Sequence, residues 1–271
     1  MGDVQPTHPF PKEKQQETRR LYRAAVQFTD HNIGRVLASL DENNFTDSTI
    51  VVFTGDHGWL LGEHGVYCKQ HNFELVARVP LVVHVPWLPQ SHGKRTSAFV
   101  ELVDMYQTTL DLANVTVRPP DAGVLEGHSF APLLVNPTIP ADQWKNATFT
   151  QYPRCSSSAG EPWVAPTNDA CTEQHASTFA AMGYSIRSSR FRYTLWVKWN
   201  GDTLKPDYSQ VVGEELYDHL GDTGMSTDSD AENVNLATST QYAAQKAQLH
   251  AALLAGWQAA LPHNETKWRT I

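Results

Sequence analysis

Three side chains suited to binding a metal ion and an anion held by it follow one apolar strand in this sequence. The strand is predicted over residues 49–53, and Asp56, His57 and Lys69 come after it. In an open α/β sheet, ligands bind in the crevice outside the carboxyl ends of the strands. Asp56 is the firmer candidate ligand of a hard divalent cation, with His57 beside it, because such cations prefer carboxylate oxygen and accept few nitrogens. The ammonium of Lys69 would stabilise negative charge on a sulfate or phosphate oxygen.

Each of these residues also has a structural alternative. Asp56 alone is typical of a polar strand end that accepts backbone N–H bonds, and most lysines are solvated. Trp59 either packs in the core or forms a wall of a substrate pocket. His64 either contacts that pocket or makes structural hydrogen bonds. The position of the group, between an apolar strand and a loop rich in glycine and histidine, favours the ligand-binding interpretation.

The composition indicates a globular protein and argues against two classes of partner. The chain has 271 residues, of which 41% are hydrophobic and 18% charged. This is enough for one large α/β domain, or for a core with a smaller lobe. A formal net charge of −8 argues against nucleic-acid binding, which normally needs a basic face. No window is long and apolar enough to predict a membrane span, and the oligomeric state is left open.

Sequons and cysteines point to the secretory pathway. Four Asn-x-Thr tripeptides fit the N-glycosylation pattern, at Asn44, Asn114, Asn146 and Asn264. Cys155 and Cys171 are a candidate disulfide across a loop-rich region, with three buried thiols as the alternative. Residues 1–17 are polar and lack the apolar segment of a signal peptide. Together these features predict a fragment, without its true N-terminus, of a lysosomal or secreted protein.

The hydrophobic pattern places these residues among helices and strands. Helical periodicity predicts helices at 18–40, 104–112 and 241–261. Asp104 is expected to cap the second of them. Apolar runs and alternation predict strands at 50–53, 80–86, 184–187, 192–199 and 215–218, the third and fourth forming a hairpin. Residues 118–180 contain many prolines and glycines and are interpreted as loops outside the core.

An ordered set of motifs along the chain resembles the sulfatase family. The set includes Thr54-Gly55-Asp56-His57-Gly58, Gly62-Glu63-His64-Gly65, Lys69, Gln151-Tyr152-Pro153-Arg154, Met182-Gly183-Tyr184-Ser185-Ile186-Arg187 and Glu215-Leu216-Tyr217-Asp218. The Asp-His pair, where many sulfatases have Asp-Asn, and Trp59 are most similar to the branch that acts on sulfated uronates of glycosaminoglycans. The resemblance implies bound Ca²⁺, held in part by Asp56 and His57, and hydrolysis of a sulfate ester with Lys69 on the sulfate.

The resemblance also implies a fold and a division of the chain. The implied fold is part of an alkaline-phosphatase-like α/β sandwich with a smaller C-terminal antiparallel-sheet lobe. Residues 1–135 are predicted to be the C-terminal part of the catalytic α/β domain. Residues 136–181 are predicted to be a loop-rich connection, and 182–271 an α+β lobe.

The sequence departs from the family pattern at the nucleophile. The family forms a formylglycine from the cysteine of Cys-x-Pro-x-Arg, preceded by an Asp-Asp metal pair, and neither motif is present. Cys68 is a poor substitute, because a thiolate lacks the chemistry of a hydrated aldehyde. We therefore expect the chain to be inactive alone. Two alternatives are a non-catalytic module that binds sulfated glycans and a phosphoesterase or phosphonate hydrolase of the same superfamily.

Overall fold

The computed structural model describes residues 10–116, 125–155, 171, 174–222 and 232–262. Its helices are α1 (Lys12–Glu42), α2 (Glu74–Ala77), α3 (Asp104–Leu112), α4 (Ala131–Val135) and α5 (Ala243–Ala255). Its strands are β1 (Val51–Thr54), β2 (Leu60–Leu61), β3 (Tyr67–Cys68), β4 (Leu81–His84), β5 (Thr148–Cys155), β6 (Phe179–Arg187), β7 (Phe191–Asn200) and β8 (Lys205–Asp218).

Within the described residues the strands form three antiparallel sheets. β1 pairs with β4 in a register that joins Val51 to His84, and β2 pairs with β3 in a short hairpin. The third sheet has the order β5-β6-β7-β8 and is called the C-terminal sheet below. The predicted strands near 50–53 and 80–86 and the hairpin of 184–187 with 192–199 are confirmed. The strand predicted at 215–218 is the end of the much longer β8.

One face of the C-terminal sheet is apolar and is covered by α5. Because side chains alternate across a strand, Tyr193, Leu195 and Val197 of β7 share one face. These residues form a buried core with Leu216 of β8 and Leu249 of α5. Burying an aliphatic side chain of this size contributes about 1.5–3 kcal/mol. This packing holds the four strands and α5 together as one layered unit.

The opposite face of the C-terminal sheet is polar and contacts the segment that follows β3. Arg187 of β6 and Arg192 of β7 both pair with the carboxylate of Glu74 at the start of α2. Asn72 donates its side-chain N–H to the carbonyl of Gly183, 3.1 Å away. The sheet therefore lies directly against the part of the chain that carries the candidate site residues.

Helix α1 has an apolar surface that no described residue covers. α1 confirms the helix predicted at 18–40 and extends beyond it at both ends. None of its residues is buried. Phe28 is 68% exposed and Val36 65%. A groove of about 390 Å³ lies between α1 and β1 and is called the α1–β1 groove; among its lining residues are Phe28, Ile33, Val36, Leu37, Val51, Val52 and Phe53. Exposed apolar surface of this extent is typical of an interface.

The interpretation of residues 118–180 as loops outside the core is wrong for part of this range. Residues 148–155 form β5, an edge strand of the C-terminal sheet, and 131–135 form α4. Trp144 and Ala147, just before β5, are buried. Because β5 contains Pro153 and lacks strict alternation of apolar residues, the pattern did not indicate a strand.

Two expectations about helix ends are also wrong. The N-cap of α3 is Val103 without a side-chain cap bond, and Asp104 is the first residue of the helix. Its carboxylate instead accepts hydrogen bonds from the ammonium of Lys145. The last helix is shorter than the predicted 241–261, because α5 ends at Ala255, before Gly256 with φ of 83°. A positive φ of this size favours glycine and stops the helix.

Three further sequence expectations concern a membrane span, the division of the chain and one sequon. Among the described residues, no helix has the length and apolar character needed to cross a membrane. The division of the chain at residues 135 and 181 stays a prediction. Asn264 lies outside the described residues.

Candidate functional site

Strand β1 leads Asp56 and His57 into the loop that follows it. The side chain of Asp56 is 86% exposed, and its Oδ1 accepts the backbone N–H of His57 at 3.0 Å. Asp56 Oδ2 lies 3.3 Å from His57 Nε2. A carboxylate oxygen and an imidazole nitrogen therefore lie close enough to contact one small ligand.

The hairpin of β2 and β3 returns the chain so that Lys69 meets this pair. Lys69 Nζ lies 2.6 Å from His57 Nε2. His57 Nδ1 lies 2.9 Å from the carbonyl oxygen of Gly58, so we assign the ring proton to Nδ1 and the lone pair to Nε2. Gly62 begins the turn with φ of 110°, a conformation that favours glycine. The three residues that the sequence singled out first thus lie together.

Trp59 and His64 occupy different surroundings in the same loop. The ring centroid of Trp59 lies 6.3 Å from that of His57, and Trp59 is 36% exposed. His64 stacks on Phe73 with ring centroids 4.3 Å apart, and its Nδ1 lies 3.0 Å from Oδ1 of Asn233. Trp59 is therefore a neighbour of the Asp56–His57 pair, whereas His64 is tied to the C-terminal segment.

Arg154 contacts the residues next to Lys69, and its sequence position did not single it out as functional. It extends from β5, and its Nη1 donates to the carbonyl of Gln70 at 3.1 Å. Its Nη2 lies 2.9 Å from Nδ1 of His71, and its guanidinium lies 4.9 Å from the ring centroid of Trp196. No local spacing could reveal this contact, because Arg154 and His71 are 83 residues apart.

Burial and neighbouring charge set the protonation of this loop. Burial, together with the charges of Arg154 and His64, lowers the pKa of His71 to about 3. Neutral His71 can therefore accept the N–H of Arg154. Burial would raise the pKa of Glu74, but two arginine guanidinium groups outweigh it and hold the pKa below its usual value. Burial raises the pKa of the Cys68 thiol despite Lys69, which disfavours a reactive thiolate.

The donors of Asp56 and His57 fit part of a divalent-cation site. Ca²⁺ takes about six to eight oxygen ligands, and this pair supplies one carboxylate and one imidazole. The described ranges contain no group of three or more His, Cys, Asp and Glu side chains arranged to hold a metal. Asp56 and His57 would therefore be two ligands among several. The single lone pair of His57 Nε2 serves either Lys69 or a cation, so its use as a ligand would release Lys69.

The candidate modification sites are accessible. Asn44 and Asn114 follow α1 and α3 with φ of 60° and 56°, and both are exposed, as is Asn146. Cys155 and Cys171 are joined as a disulfide, with Cα atoms 5.6 Å apart. The bridge ties the end of β5 to residue 171.

The fold is shared with solved sulfate- and phosphonate-ester proteins. A protein solved in complex with its substrate D-glucosamine-2-N,6-O-disulfate aligns over 97% of this chain and 46% of its own, with a TM-score of 0.66 and 27% identity. A phosphonate monoester hydrolase from Silicibacter pomeroyi aligns over 86% of this chain and 39% of its own, with a TM-score of 0.61 and 23% identity. The architecture is therefore alkaline-phosphatase-like, as the motifs implied.

Sequence comparison identifies one family among the proteins with this alkaline-phosphatase-like architecture. The sulfatase family profile matches residues 4–115, which include Asp56, His57 and Lys69. Iduronate 2-sulfatase from Homo sapiens is 31% identical over 264 residues, covering 83% of this chain and 46% of that protein. The chain belongs to the sulfatase family, which confirms the resemblance. It spans about half the length of the iduronate 2-sulfatases of Homo sapiens and Mus musculus, 46% of each.

Proposed function

We propose that this chain supplies one part of the active site of a sulfuric ester hydrolase that acts on a sulfated uronate of a glycosaminoglycan. The observation that carries the proposal is the 2.6 Å contact of Lys69 Nζ with His57 Nε2, next to the exposed carboxylate of Asp56. These side chains lie in the segment that matches the sulfatase family. The identity to iduronate 2-sulfatase supports the uronate as substrate.

Each side chain of the site has a distinct task in this proposal. The ammonium of Lys69 leaves His57 Nε2 and donates hydrogen bonds to the sulfate oxygens, where negative charge increases in the transition state. Asp56 and His57 would hold Ca²⁺, which supplies Lewis-acid stabilisation of the sulfate when bound. Trp59 offers an aromatic wall to the sugar ring. His64 lies at the part of the pocket that borders the C-terminal segment.

The remaining parts of the site come from a second stretch of polypeptide. Neither Cys-x-Pro-x-Arg nor the preceding Asp-Asp pair is present in these 271 residues. We infer that the stretch carrying them packs in the α1–β1 groove. Among the described strands β1 pairs with β4 alone, so its other edge is available to a further strand. Val52 and Phe53 supply apolar surface there.

A lysosomal or secreted location belongs to the same proposal. Asn44, Asn114 and Asn146 are exposed sequons, and the Cys155–Cys171 bridge is typical of an oxidising compartment. We propose that these three asparagines carry N-linked glycans, and Asn264 also, on the basis of its sequence.

The protein translated from the complete coding sequence tests this function. We expect Cys-x-Pro-x-Arg to be encoded upstream of Met1, and the protein to desulfate a disaccharide with 2-sulfated iduronate. Lys69→Ala should lower kcat by about 10²–10³-fold, because it removes a charged donor from the developing oxyanion. Lys94→Ala is the matched control, since Lys94 is an exposed lysine outside the site, and it should keep full turnover.

Two results would contradict this function and support an alternative. If no Cys-x-Pro-x-Arg is encoded upstream and the protein binds the disaccharide without cleaving it, the chain is part of a glycan-binding module. If the complete protein cleaves phosphate or phosphonate esters faster than sulfate esters, it is a phosphoesterase. The second outcome has a structural precedent, because a phosphonate monoester hydrolase shares the fold.

A further inference from the structure

The Asp56–His57 loop is held by α2 through one close backbone contact. The N–H of Gly58 donates to the carbonyl of Val76 at 2.8 Å. The approach is so close that a Cβ added at Gly58 would lie 1.8 Å from the carbonyl oxygen of Leu75. Only glycine therefore fits between the two segments. A shift of α2 would move the backbone that carries Asp56 and His57.

The start of α2 is in turn held by Glu74. Its carboxylate Oε2 accepts a hydrogen bond from Nε of Arg187 at 3.1 Å and another from Nη2 of Arg192. Its backbone N–H donates to Oε2 of Glu232 at 2.7 Å. Glu74 is only 9% exposed, so these bonds replace almost all of its contact with water.

The two arginines lie on the polar face of the C-terminal sheet and are buried there. Arg192 is 2% exposed, and its Nε lies 2.8 Å from Oε1 of Glu232. Its Nη1 also donates to Oγ of Ser185 in the neighbouring strand. Buried charges are tolerated only when each has its partners, so removal of one member leaves the others uncompensated. Glu74 is the member of this cluster that belongs to α2.

We propose that Glu74 is a positioning residue for the Asp56–His57 pair. Glu74 binds α2 to β6 and β7, and α2 in turn binds the N–H of Gly58. These contacts hold the two residues of the site in place. This inference rests on the proposed function in one respect, because it takes Asp56 and His57 to be part of an active site. The mechanical link itself stands on the contacts of Glu74, Val76 and Gly58.

Residue-resolved amide hydrogen exchange on the 271-residue chain tests this link without any measurement of activity. Glu74→Gln keeps the size of the side chain and removes its charge. We expect exchange at the Gly58 amide to increase about tenfold or more, because α2 loses its anchor and the Gly58–Val76 bond opens locally. Exchange at Leu195 and Ile186, in the sheet core, should increase much less than exchange at Gly58. Should Glu74→Gln fail to fold, Arg187→Lys, which keeps the charge and loses the Nε contact, should show the same pattern.

The matched control is Glu214→Gln. Glu214 lies on the other face of the same sheet, pairs with Lys246 and does not contact α2. The Glu214→Gln variant should show the same exchange at the Gly58 amide as the wild type. A uniform increase at Gly58, Leu195 and Ile186 would show that Glu74 only stabilises the fold, and an unchanged Gly58 would show that no link exists. Either result overturns the proposal, and neither bears on whether the complete protein is a sulfatase.

Discussion

Replacing Lys145 by methionine is expected to lower the free energy of unfolding by about 3–5 kcal/mol. Lys145 is 3% exposed, and its ammonium lies 2.7 Å from both carboxylate oxygens of Asp104 and 2.9 Å from Oε2 of Glu101. Methionine has a similar length but no charge, so it would leave two carboxylates next to each other in a site with little water. Urea unfolding at neutral pH measures the difference.

The Lys145 cluster connects segments that are distant in sequence, which is why the effect should be global. Asp104 also accepts the backbone N–H groups of Glu101 and His128, and Glu101 accepts that of Phe149 at the start of β5. Loss of the ammonium therefore disturbs α3, the approach to α4 and the edge of the C-terminal sheet together.

A control and a second variant make this prediction decisive. Lys14→Met removes a solvent-exposed pair with Glu17 and should leave the free energy of unfolding almost unchanged. Adding Asp104→Asn to Lys145→Met should recover part of the loss, because it removes one uncompensated charge. If Lys145→Met costs no more than Lys14→Met, the cluster does not hold these segments together.

Acidification from pH 7 to about pH 5 is expected to destabilise the chain by about 2 kcal/mol through His71 alone. The pKa of His71 is lowered from 6.5 to about 3 in the folded state, so the unfolded chain binds the proton first. Stability is therefore fully present above about pH 6.5 and decreases as pH falls towards 3. The main physical cause is burial of the imidazole, which disfavours its charged form, and the nearby charge of Arg154 adds to it.

Unfolding curves of variants at several pH values separate the contribution of His71 to the pH dependence of stability from that of the other histidines. His71→Gln should flatten the dependence between pH 7 and about pH 5, because glutamine does not titrate. His31→Gln, at an exposed position of α1, should keep the wild-type dependence. A His71→Gln variant as sensitive to acid as the wild type would show that this histidine is not held neutral by the fold.

Local sequence patterns predicted the regular elements well. Helix α3 ends at the predicted residue, Leu112, and the hairpin of β6 and β7 has its turn where Ser188-Ser189-Arg190 lies between two alternating runs. Each element buries one face, so its apolar residues recur in the sequence with the period of a helix or a strand. β5 failed this criterion because its register is determined by pairing with β6 rather than by alternation of its own residues.

The pairing of polar residues was less predictable from the sequence. Asp104 has a residue type and a position that predict a cap, yet a buried ammonium 41 residues away binds it more strongly. The same limit applies to the site. Asp56, His57 and Lys69 were predictable because they follow one strand within a short loop. Arg154 and Glu74 were not, because their roles depend on contacts between segments far apart in the chain.

The most direct test of a divided active site is the turnover of the purified 271-residue chain itself. We would assay it with Ca²⁺ present on an aryl sulfate and on a disaccharide with 2-sulfated iduronate. We predict no hydrolysis above the buffer rate, because the sequence has Asp56, His57 and Lys69 but no Cys-x-Pro-x-Arg nucleophile. Measurable hydrolysis that Asp56→Ala abolishes would contradict it, because the chain would then hold a complete active site.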